Sequence, residues 1–241
     1  MRTRPVYEYL IYNGRSSLEF QTRISGGGTY KSPQRDISTI EVPGRNGTLT
    51  LDNGRYTNVQ ETYEAFITED FDANLTALRN FLQQDSEYHR LSDTYHPDEF
   101  RMARFIGPIE PDVRFNEAGS FDLTFDRMPQ RWLTSGESPT AVTSAEAVTL
   151  YNPTNQTALP KIVVTQGTGT IRINDVTMVL TANNGATVID TEMQDAYEGA
   201  TNRNNQLTLS SGVFPALAPG NNSIDVSSGM TIEVYPRWWR L

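Results

Sequence analysis

The stretch IEVPGRNGTLTLDNGRY, residues 40–56, contains two Asn-Gly dipeptides on either side of two leucines that alternate with threonines. Asn-Gly is the strongest local signal for a β-hairpin, because both residues tolerate the positive φ of a type I′ turn. Pro43-Gly44 adds a further turn signal. The stretch therefore predicts a rigid β-hairpin with turns at Asn46-Gly47 and Asn53-Gly54.

The rest of the N-terminal half alternates between strand and turn signals. Residues 6–24 hold two segments rich in tyrosine and leucine that are split by Asn13-Gly14, which is typical of a hairpin. Residues 61–68 read as a further strand. Phe121, Leu123 and Phe125 alternate with polar residues and predict a half-buried strand. Its hairpin partner is predicted at residues 112–116.

One helix is predicted, directly after the strand at residues 61–68. Acidic residues precede it, where the helix macrodipole favours negative charge. Apolar residues then recur at i, i+3, i+6 and i+7 and make one stripe, at Leu75, Leu78, Phe81 and Leu82. Such a stripe is typical of a helix that lies on a sheet.

The C-terminal half has a different pattern. Residues 134–149 are small and polar and are predicted to be a linker between domains of residues 1–133 and 150–241. After Leu150, short strands alternate with turns and no helix signal appears, which predicts an antiparallel sandwich or jelly roll. The segment Arg237-Trp238-Trp239 is predicted to cap this sandwich. The expected fold class is therefore mainly β, with one α-helix in the first domain.

The composition limits the classes of function. The 241 residues carry a net charge of −9 and no cysteine, which excludes disulfides and thiol chemistry. An acidic chain without a basic cluster argues against a nucleic-acid surface. No run of apolar residues is long enough to span a membrane, and the N-terminus lacks the apolar core of a signal peptide. We therefore expect a protein made in the cytoplasm that does not enter a membrane.

The basic side chains are unusual in kind, because all but Lys31 and Lys161 among the 20 are arginine. Arginine offers a planar set of donors that suits carboxylate pairing at interfaces. With 29 acidic side chains available, the mixture fits a chain that pairs with copies of itself or with neighbours. A genomic preference for arginine over lysine explains the composition equally well.

Few residues suggest chemistry. His89 and His96 lie near Asp93 and Asp98, but a metal site needs three or four converging ligands and nothing here directs them together. Asp190 and Glu192 would share one face of a strand, as paired carboxylates do in glycosidases. Residues around the pair indicate a strand end and a polar loop instead. We therefore expect no enzyme, no metal and no cofactor.

Trp238 and Trp239 are the candidates for stacking on sugar rings. Adjacent residues on a strand point to opposite faces, so only one of the two could serve. Packing against the core is the favoured interpretation of both. A carbohydrate-binding module that recognises host cell-wall polysaccharide through the C-terminal sandwich remains the alternative function.

Several motifs, in order along nearly the whole chain, resemble the distal tail protein (Dit) family of siphophages that infect Gram-positive bacteria. Each motif alone is moderately specific, whereas the ordered set is specific. The motifs are VPGRNG at 42–47, LRNFL to FRMARF between 78 and 105, GSFDLTFDRMPQRWL at 119–133, YNPTNQTALPKIVV at 151–164, IDTEMQDAY at 189–197, and GVFPALAPGNNSI to IEVYPRWW between 212 and 239.

The resemblance implies an N-terminal β-rich domain that forms a ring, usually a hexamer, at the tip of the tail tube. It also implies a C-terminal galectin-like β-sandwich outside the ring, in the short form without an inserted carbohydrate-binding module. The expected role is a structural hub in the virion, assembled in the host cytoplasm. The expected partners are copies of itself, the tail tube protein, the tail-associated lysin or fibre protein, and receptor-binding or baseplate proteins.

A ring requires a projection on each subunit that the next subunit accepts. Protruding hairpins are natural projections, since an unpaired strand edge can recruit a neighbouring chain. The hairpin at residues 40–56 is therefore the predicted subunit contact, with Arg45, Asn46 and Arg55 as its candidate contact residues.

Overall fold

The structure is a computed structural model that describes residues 8–26, 30–114, 117–143, 147–183 and 185–241. The chain divides into two compact units, with the boundary between Arg131 and Trp132. Strands dominate both units, and the described residues contain one α-helix. The predicted fold class, mainly β with one helix, is confirmed.

The first unit contains one antiparallel main sheet. Its elements are β1 Leu10–Tyr12, β2 Arg15–Ser16, β3 Thr22–Ser25, β4 Arg35–Glu41, β5 Thr48–Tyr56, β6 Val59–Ile67, α1 Phe71–Leu82, β7 His89–Asp93, β8 Glu99–Phe105, β9 Asp112–Arg114 and β10 Ala118–Arg127. The strand order of the sheet is β2-β1-β7-β8-β10-β6-β3, and β9 pairs with β10. Strands β4 and β5 form a separate two-stranded sheet.

The opening hairpin and the long alternating strand form as predicted. Asn13 and Gly14 join β1 to β2 with φ of 46° and 76°, the positive values that a type I′ turn requires. Strand β10 pairs with the whole length of β6, from Gly119 opposite Ile67 to Arg127 opposite Val59. The hairpin partner predicted at residues 112–116 is β9, which pairs with β10. Residues 115 and 116 lie outside the described residues.

Helix α1 lies against the main sheet through the predicted stripe. Leu75, Leu78 and Leu82 are buried in the same core as the inward side chains of β6 and β10. A Cβ atom at Gly119 would lie 2.5 Å from the ring of Phe71, so glycine at this position lets the start of the helix approach β10 closely. The apolar alternation of β10 and the helix stripe therefore meet in one core.

A group of buried charges accompanies this core. Arg101 and Arg127 are almost completely buried, and each lies near the carboxylate of Glu61, with Nε–Oε2 distances of 3.6 and 2.7 Å. Asp93 accepts hydrogen bonds from Arg101 Nη1 at 2.6 Å and from the hydroxyl of Tyr63 at 2.8 Å. Buried charges persist in proteins when they are paired in this way.

The second unit is a sandwich of two antiparallel sheets. Its strands are β11 Arg131–Leu133, β12 Thr140–Thr143, β13 Val148–Asn152, β14 Lys161–Gln166, β15 Gly169–Ile173, β16 Val176–Leu180, β17 Thr187–Asp190, β18 Asp195–Glu198, β19 Thr201–Asn202, β20 Leu207–Leu209, β21 Gly220–Val226, β22 Thr231–Tyr235 and β23 Trp239–Arg240. The sheet orders are β12-β22-β14-β17-β18-β19 and β13-β21-β15-β16-β20, and β11 pairs with β23.

Inward side chains of both sheets build a single apolar core. Ile162, Ile173 and Ile232 are fully buried in it, and Trp238 joins it at the end of the chain. Short 3-10 turns lie at Ser17–Phe20, Thr134–Glu137 and Asn204–Gln206. The predicted antiparallel sandwich is therefore present.

The predicted linker at residues 134–149 requires correction. Thr140–Thr143 forms β12, an edge strand of the sandwich that pairs with β22 from Thr140 opposite Val234 to Thr143 opposite Thr231. Residues 144–146 lie outside the described residues. Small polar residues suit an edge strand with one solvated face as well as they suit a linker, so composition alone misled the prediction.

Candidate functional site: an exposed hairpin

Strands β4 and β5 and their connection form a hairpin that we call the ribbon, residues 35–56. Between Arg35 and Arg55, every residue except Asp36 and Val42 is exposed. Both faces of the ribbon are therefore open to solvent. A two-stranded hairpin of this kind is marginally stable in water, so the ribbon is suited to packing against a partner.

The ribbon turns at Pro43-Gly44. The amide of Arg45 donates to the carbonyl of Val42 at 3.1 Å, and Gly44 has a φ of 80°. Proline followed by a residue with positive φ is the pattern of a type II turn. The predicted type I′ turn at Asn46-Gly47 is therefore wrong, because only Gly47 of that pair has a positive φ.

The second Asn-Gly pair lies inside β5 rather than at a turn. Arg35 pairs with Tyr56 and Ile37 with Asp52, so residues 53–55 lie opposite a single residue of β4. Gly54, with a φ of 73°, accommodates this bulge. The turn predicted at Asn53-Gly54 is thus a bulge, because Asn-Gly satisfies both conformations.

Charges near the base of the ribbon are paired within the ribbon. Arg35 Nη1 lies 2.5 Å from Asp52 Oδ2, and Arg55 Nε lies 2.6 Å from Asp36 Oδ2. Hydrogen bonds from Asn53 and Arg55 hold the pKa of Asp36 below its usual value. These exposed pairs fix the local geometry more than they stabilise the fold.

The base is also tied to the main sheet. Thr57 donates its amide to Gln34 at 2.8 Å, and Lys31 Nζ donates to the carbonyl of Gln60 at 2.9 Å. Arg127 Nη2 in turn donates to the carbonyl of Lys31 at 2.7 Å. The ribbon therefore extends from an anchored base.

One face of the ribbon is apolar. Ile40 lies opposite Leu49, and Leu51 lies opposite Ser38 on the same face. These three apolar side chains are 52%, 41% and 57% exposed. The other face carries the pair Thr39–Thr50, with Glu41 opposite Thr48 and Ile37 opposite Asp52. Contiguous exposed apolar side chains mark protein interaction surfaces. The leucine alternation is visible in the sequence, but only the strand pairing shows that this face is uncovered.

The three predicted contact residues have different environments. Arg45 and Asn46 are exposed in the loop at the tip, and in the part of the chain that the structure describes Arg45 makes no ion pair. Arg55 lies at the bulge, where Asp36 already pairs with it. The ribbon therefore carries one uncommitted cation, which is at its tip.

The two candidate sugar-stacking residues are also separated by their environments. Trp238 is only 4% exposed and packs in the core of the sandwich, so its ring has no free face. Trp239 is half-buried, and its indole Nε1 donates to the carbonyl of Thr157 at 3.0 Å. The interpretation of this segment as a cap agrees with both positions.

The paired carboxylates of the second unit hold an arginine. Arg237 donates to both oxygens of Asp190 at 2.8 and 2.6 Å and to Glu192 at 3.2 Å. Burial raises the pKa of Asp190, but Arg237 and two backbone amides outweigh that effect and lower it. These contacts fasten Arg237 to β17. Carboxylates that an arginine already holds are poorly arranged to act in hydrolysis.

The two histidines do not converge. His89 Nε2 lies 2.8 Å from Asp85, whereas His96 Nδ1 lies 3.3 Å from Asp93. Among the residues that the structure describes, no group of three histidine, aspartate or glutamate side chains is arranged to hold a metal ion. In the same residues no helix is long and apolar enough to span a membrane.

The fold thus defines a β-rich protein of two units, one with an exposed ribbon and one a two-sheet sandwich. The crystal structure of the SPP1 Dit (gp 19.1) protein, described as a paradigm of the hub adsorption apparatus in phages that infect Gram-positive bacteria, is similar to it. The TM-score is 0.71 with 14% sequence identity, over 97% of this chain and 99% of that chain. No protein-family model and no curated protein sequence matches the chain. The likeness shows that the chain has the Dit fold, in agreement with the resemblance of its motifs.

Proposed function

We propose that this protein is a structural virion protein that forms a ring, with six subunits, at the distal end of a phage tail tube. In this role it joins the tube to tail-tip or baseplate proteins and to host-recognition proteins, and it performs no catalysis. The observation that carries the proposal is the shared fold with a phage hub protein over almost the whole chain. Assembly would take place in the host cytoplasm, and the mature location would be the tail tip.

The ribbon supplies a physical reason for a ring. Each subunit of a ring needs a projection and a surface that accepts it, because the contacts are heterologous. An anchored hairpin with an uncovered apolar face and a cationic tip has the properties of such a projection. In the proposed ring the ribbon of each subunit contacts the next subunit.

The sandwich has a separate proposed role. By the resemblance it is a galectin-like domain on the outside of the ring, in the short form without an inserted module. The sandwich has Trp238 in its core, and a sandwich packed in this way suits a rigid docking surface. We assign it the contacts with a tail-associated lysin or fibre protein and with receptor-binding proteins.

The hub role is tested by assembly with the tail tube protein of the same phage. Gold-labelled protein added to preformed tubes is expected to mark one end of each tube. The full-length chain is used, because it carries both the ribbon and the sandwich. Labelling along the tube walls, or no labelling, would contradict the hub role.

A further inference from the structure

A groove crosses the outward face of the main sheet in the first unit. Two adjoining clefts, of about 530 and 380 Å³, share Phe66, Asp112 and Ser120. Acidic side chains line one end, and the other end is mostly apolar. The acidic end includes Glu64, Glu110 and Asp122, the other end includes Ala118, and Phe66 lies in both. Arg114 also lines the second cleft, where its guanidinium lies 3.8 Å from the carboxylate of Asp112.

Two carboxylates lie close together at the acidic end of the groove. Glu64 and Asp122 lie directly opposite each other on β6 and β10. Like charges in this position repel and destabilise a sheet. In the described residues neither carboxylate is paired with an arginine or lysine, and Glu64 accepts only a long hydrogen bond of 3.4 Å from Ser25. A cation delivered from outside the subunit would relieve the repulsion.

The ribbon matches the groove in chemistry. Its tip carries Arg45, which has no ion pair in the described residues, and its apolar face carries Ile40 and Leu49. A surface with one cationic and one apolar section is complementary to a groove with one acidic and one apolar section.

The two surfaces also match in length. Four residues of β10 separate Ala118 from Asp122, which corresponds to about 13 Å along a strand. On the ribbon, Arg45 lies four positions before Leu49, which corresponds to at most about 13 Å. The cation and the apolar section of the ribbon can therefore reach their counterparts at the same time.

We infer that the groove is the acceptor for the ribbon of a second copy of this chain. Arg45 of one subunit lies between Glu64 and Asp122 of the next, and the apolar face of the ribbon covers Phe66. The inference rests on the proposed ring and identifies both sides of its subunit contact.

Charge reversal tests this pairing in the full-length protein. Arg45→Glu alone and the double substitution Glu64→Lys/Asp122→Lys alone should each raise the concentration for half-assembly on the order of tenfold or more, because like charges then meet at every contact. The double substitution keeps a like-charge pair across the strands, so subunit stability should change little.

Mixing the two variants gives the decisive result. In a mixed ring every ribbon that carries the Arg45→Glu change meets a groove with lysines, and every unchanged ribbon meets an unchanged groove. Two preparations that fail to assemble separately should therefore assemble together into rings with an even number of alternating subunits. Light scattering and native mass spectrometry measure both the recovery and the composition.

A matched control reverses two exposed acids outside the groove, as Glu87→Lys/Asp175→Lys. This control should leave assembly unchanged, since only the net charge is altered. If the wild type assembles and the mixture does not recover, the pairing of ribbon and groove is wrong while the proposed function stands. A wild type that stays monomeric at every concentration overturns the ring and this contact together.

Discussion

Arg127 Nε lies 2.7 Å from Glu61 Oε2, and both side chains are almost completely excluded from solvent. Glu61 also lies 3.6 Å from Arg101 Nε, and Asp93 pairs with the same arginine at 2.6 Å, so two carboxylates balance two buried guanidinium groups. Among the described residues, Glu61→Gln would leave Arg127 without a carboxylate partner and Arg101 with Asp93 alone. Breaking a buried pair in this way costs about 3–5 kcal/mol of unfolding free energy. Urea denaturation measures the loss. Glu87→Gln, at an exposed position of the same unit, is the control and should change stability little.

Asp93 predicts a dependence of stability on pH. Burial raises the pKa of Asp93, but hydrogen bonds from His96 and Tyr63 and the charge of Arg101 outweigh it, so the pKa lies well below its usual value. A carboxylate with a lowered folded-state pKa stabilises the fold above the unfolded value of about 3.9, and this stability disappears as the pH falls below it.

The measurement is the free energy of unfolding between pH 7 and pH 2. The wild type should lose stability steeply below about pH 4, and Asp93→Asn should be less stable at pH 7 but flatter in acid. An equal acid dependence in the variant and the wild type would show that other carboxylates account for it.

These buried charges also show where sequence reasoning failed. The strands, the helix and the sandwich were predictable, because periodicities of 2 and 3.6 residues reflect local geometry. The burial of Glu61, Asp93 and Arg101 was not predicted, since nothing local indicates that charges distant in sequence pair inside the core. The turns predicted at Asn46-Gly47 and Asn53-Gly54 were wrong, whereas the further turn signal at Pro43-Gly44 marks the actual turn, because glycine with positive φ serves turns and bulges alike.

The candidate contact was predictable only in part. Arg45 was singled out from the sequence as a candidate contact and is exposed in the structure, whereas the apolar face and the groove depend on strand register. Glu64 and Asp122 are 58 positions apart in the sequence and become neighbours only through the pairing of β6 with β10. No pattern within one strand could have indicated that.

The two terminal tryptophans should respond differently to truncation. Trp238→Ala opens a cavity in the sandwich core and should cost about 3–5 kcal/mol. Trp239→Ala should cost clearly less, because that ring is half-buried. Thermal unfolding of the full chain measures both. The wild type and Trp239→Ala are also titrated with host cell-wall polysaccharide, and neither is expected to bind it saturably. Saturable binding by the wild type that Trp239→Ala removes would favour the carbohydrate-binding alternative.

The apolar face of the ribbon should matter for assembly and not for folding. Leu51→Ser removes a 57% exposed apolar side chain from the face that we assign to the contact, so it should weaken assembly. Ile37→Ser removes a 45% exposed side chain from the opposite face and is the matched control. Sedimentation velocity measures assembly, and circular dichroism checks folding. Equal effects of the two substitutions would contradict the assigned face.

Arg45 and Arg55 should also differ, although both were singled out from the sequence. Arg45→Ala removes the unpaired cation at the tip and should weaken the ring while monomer folding stays intact. Arg55→Ala breaks only the pair with Asp36 inside the ribbon and should have the smaller effect on assembly. The concentration for half-assembly, measured by light scattering, compares the two. A larger effect of Arg55→Ala would move the contact from the tip to the bulge.

The central claim is that copies of this chain close into a ring. Negative-stain electron microscopy of the purified full-length protein tests it most directly, because class averages report rotational symmetry without a partner protein. The account predicts closed rings with six-fold symmetry that disappear in the Arg45→Glu variant. Monomers, or open filaments, in the wild type at high concentration would contradict it.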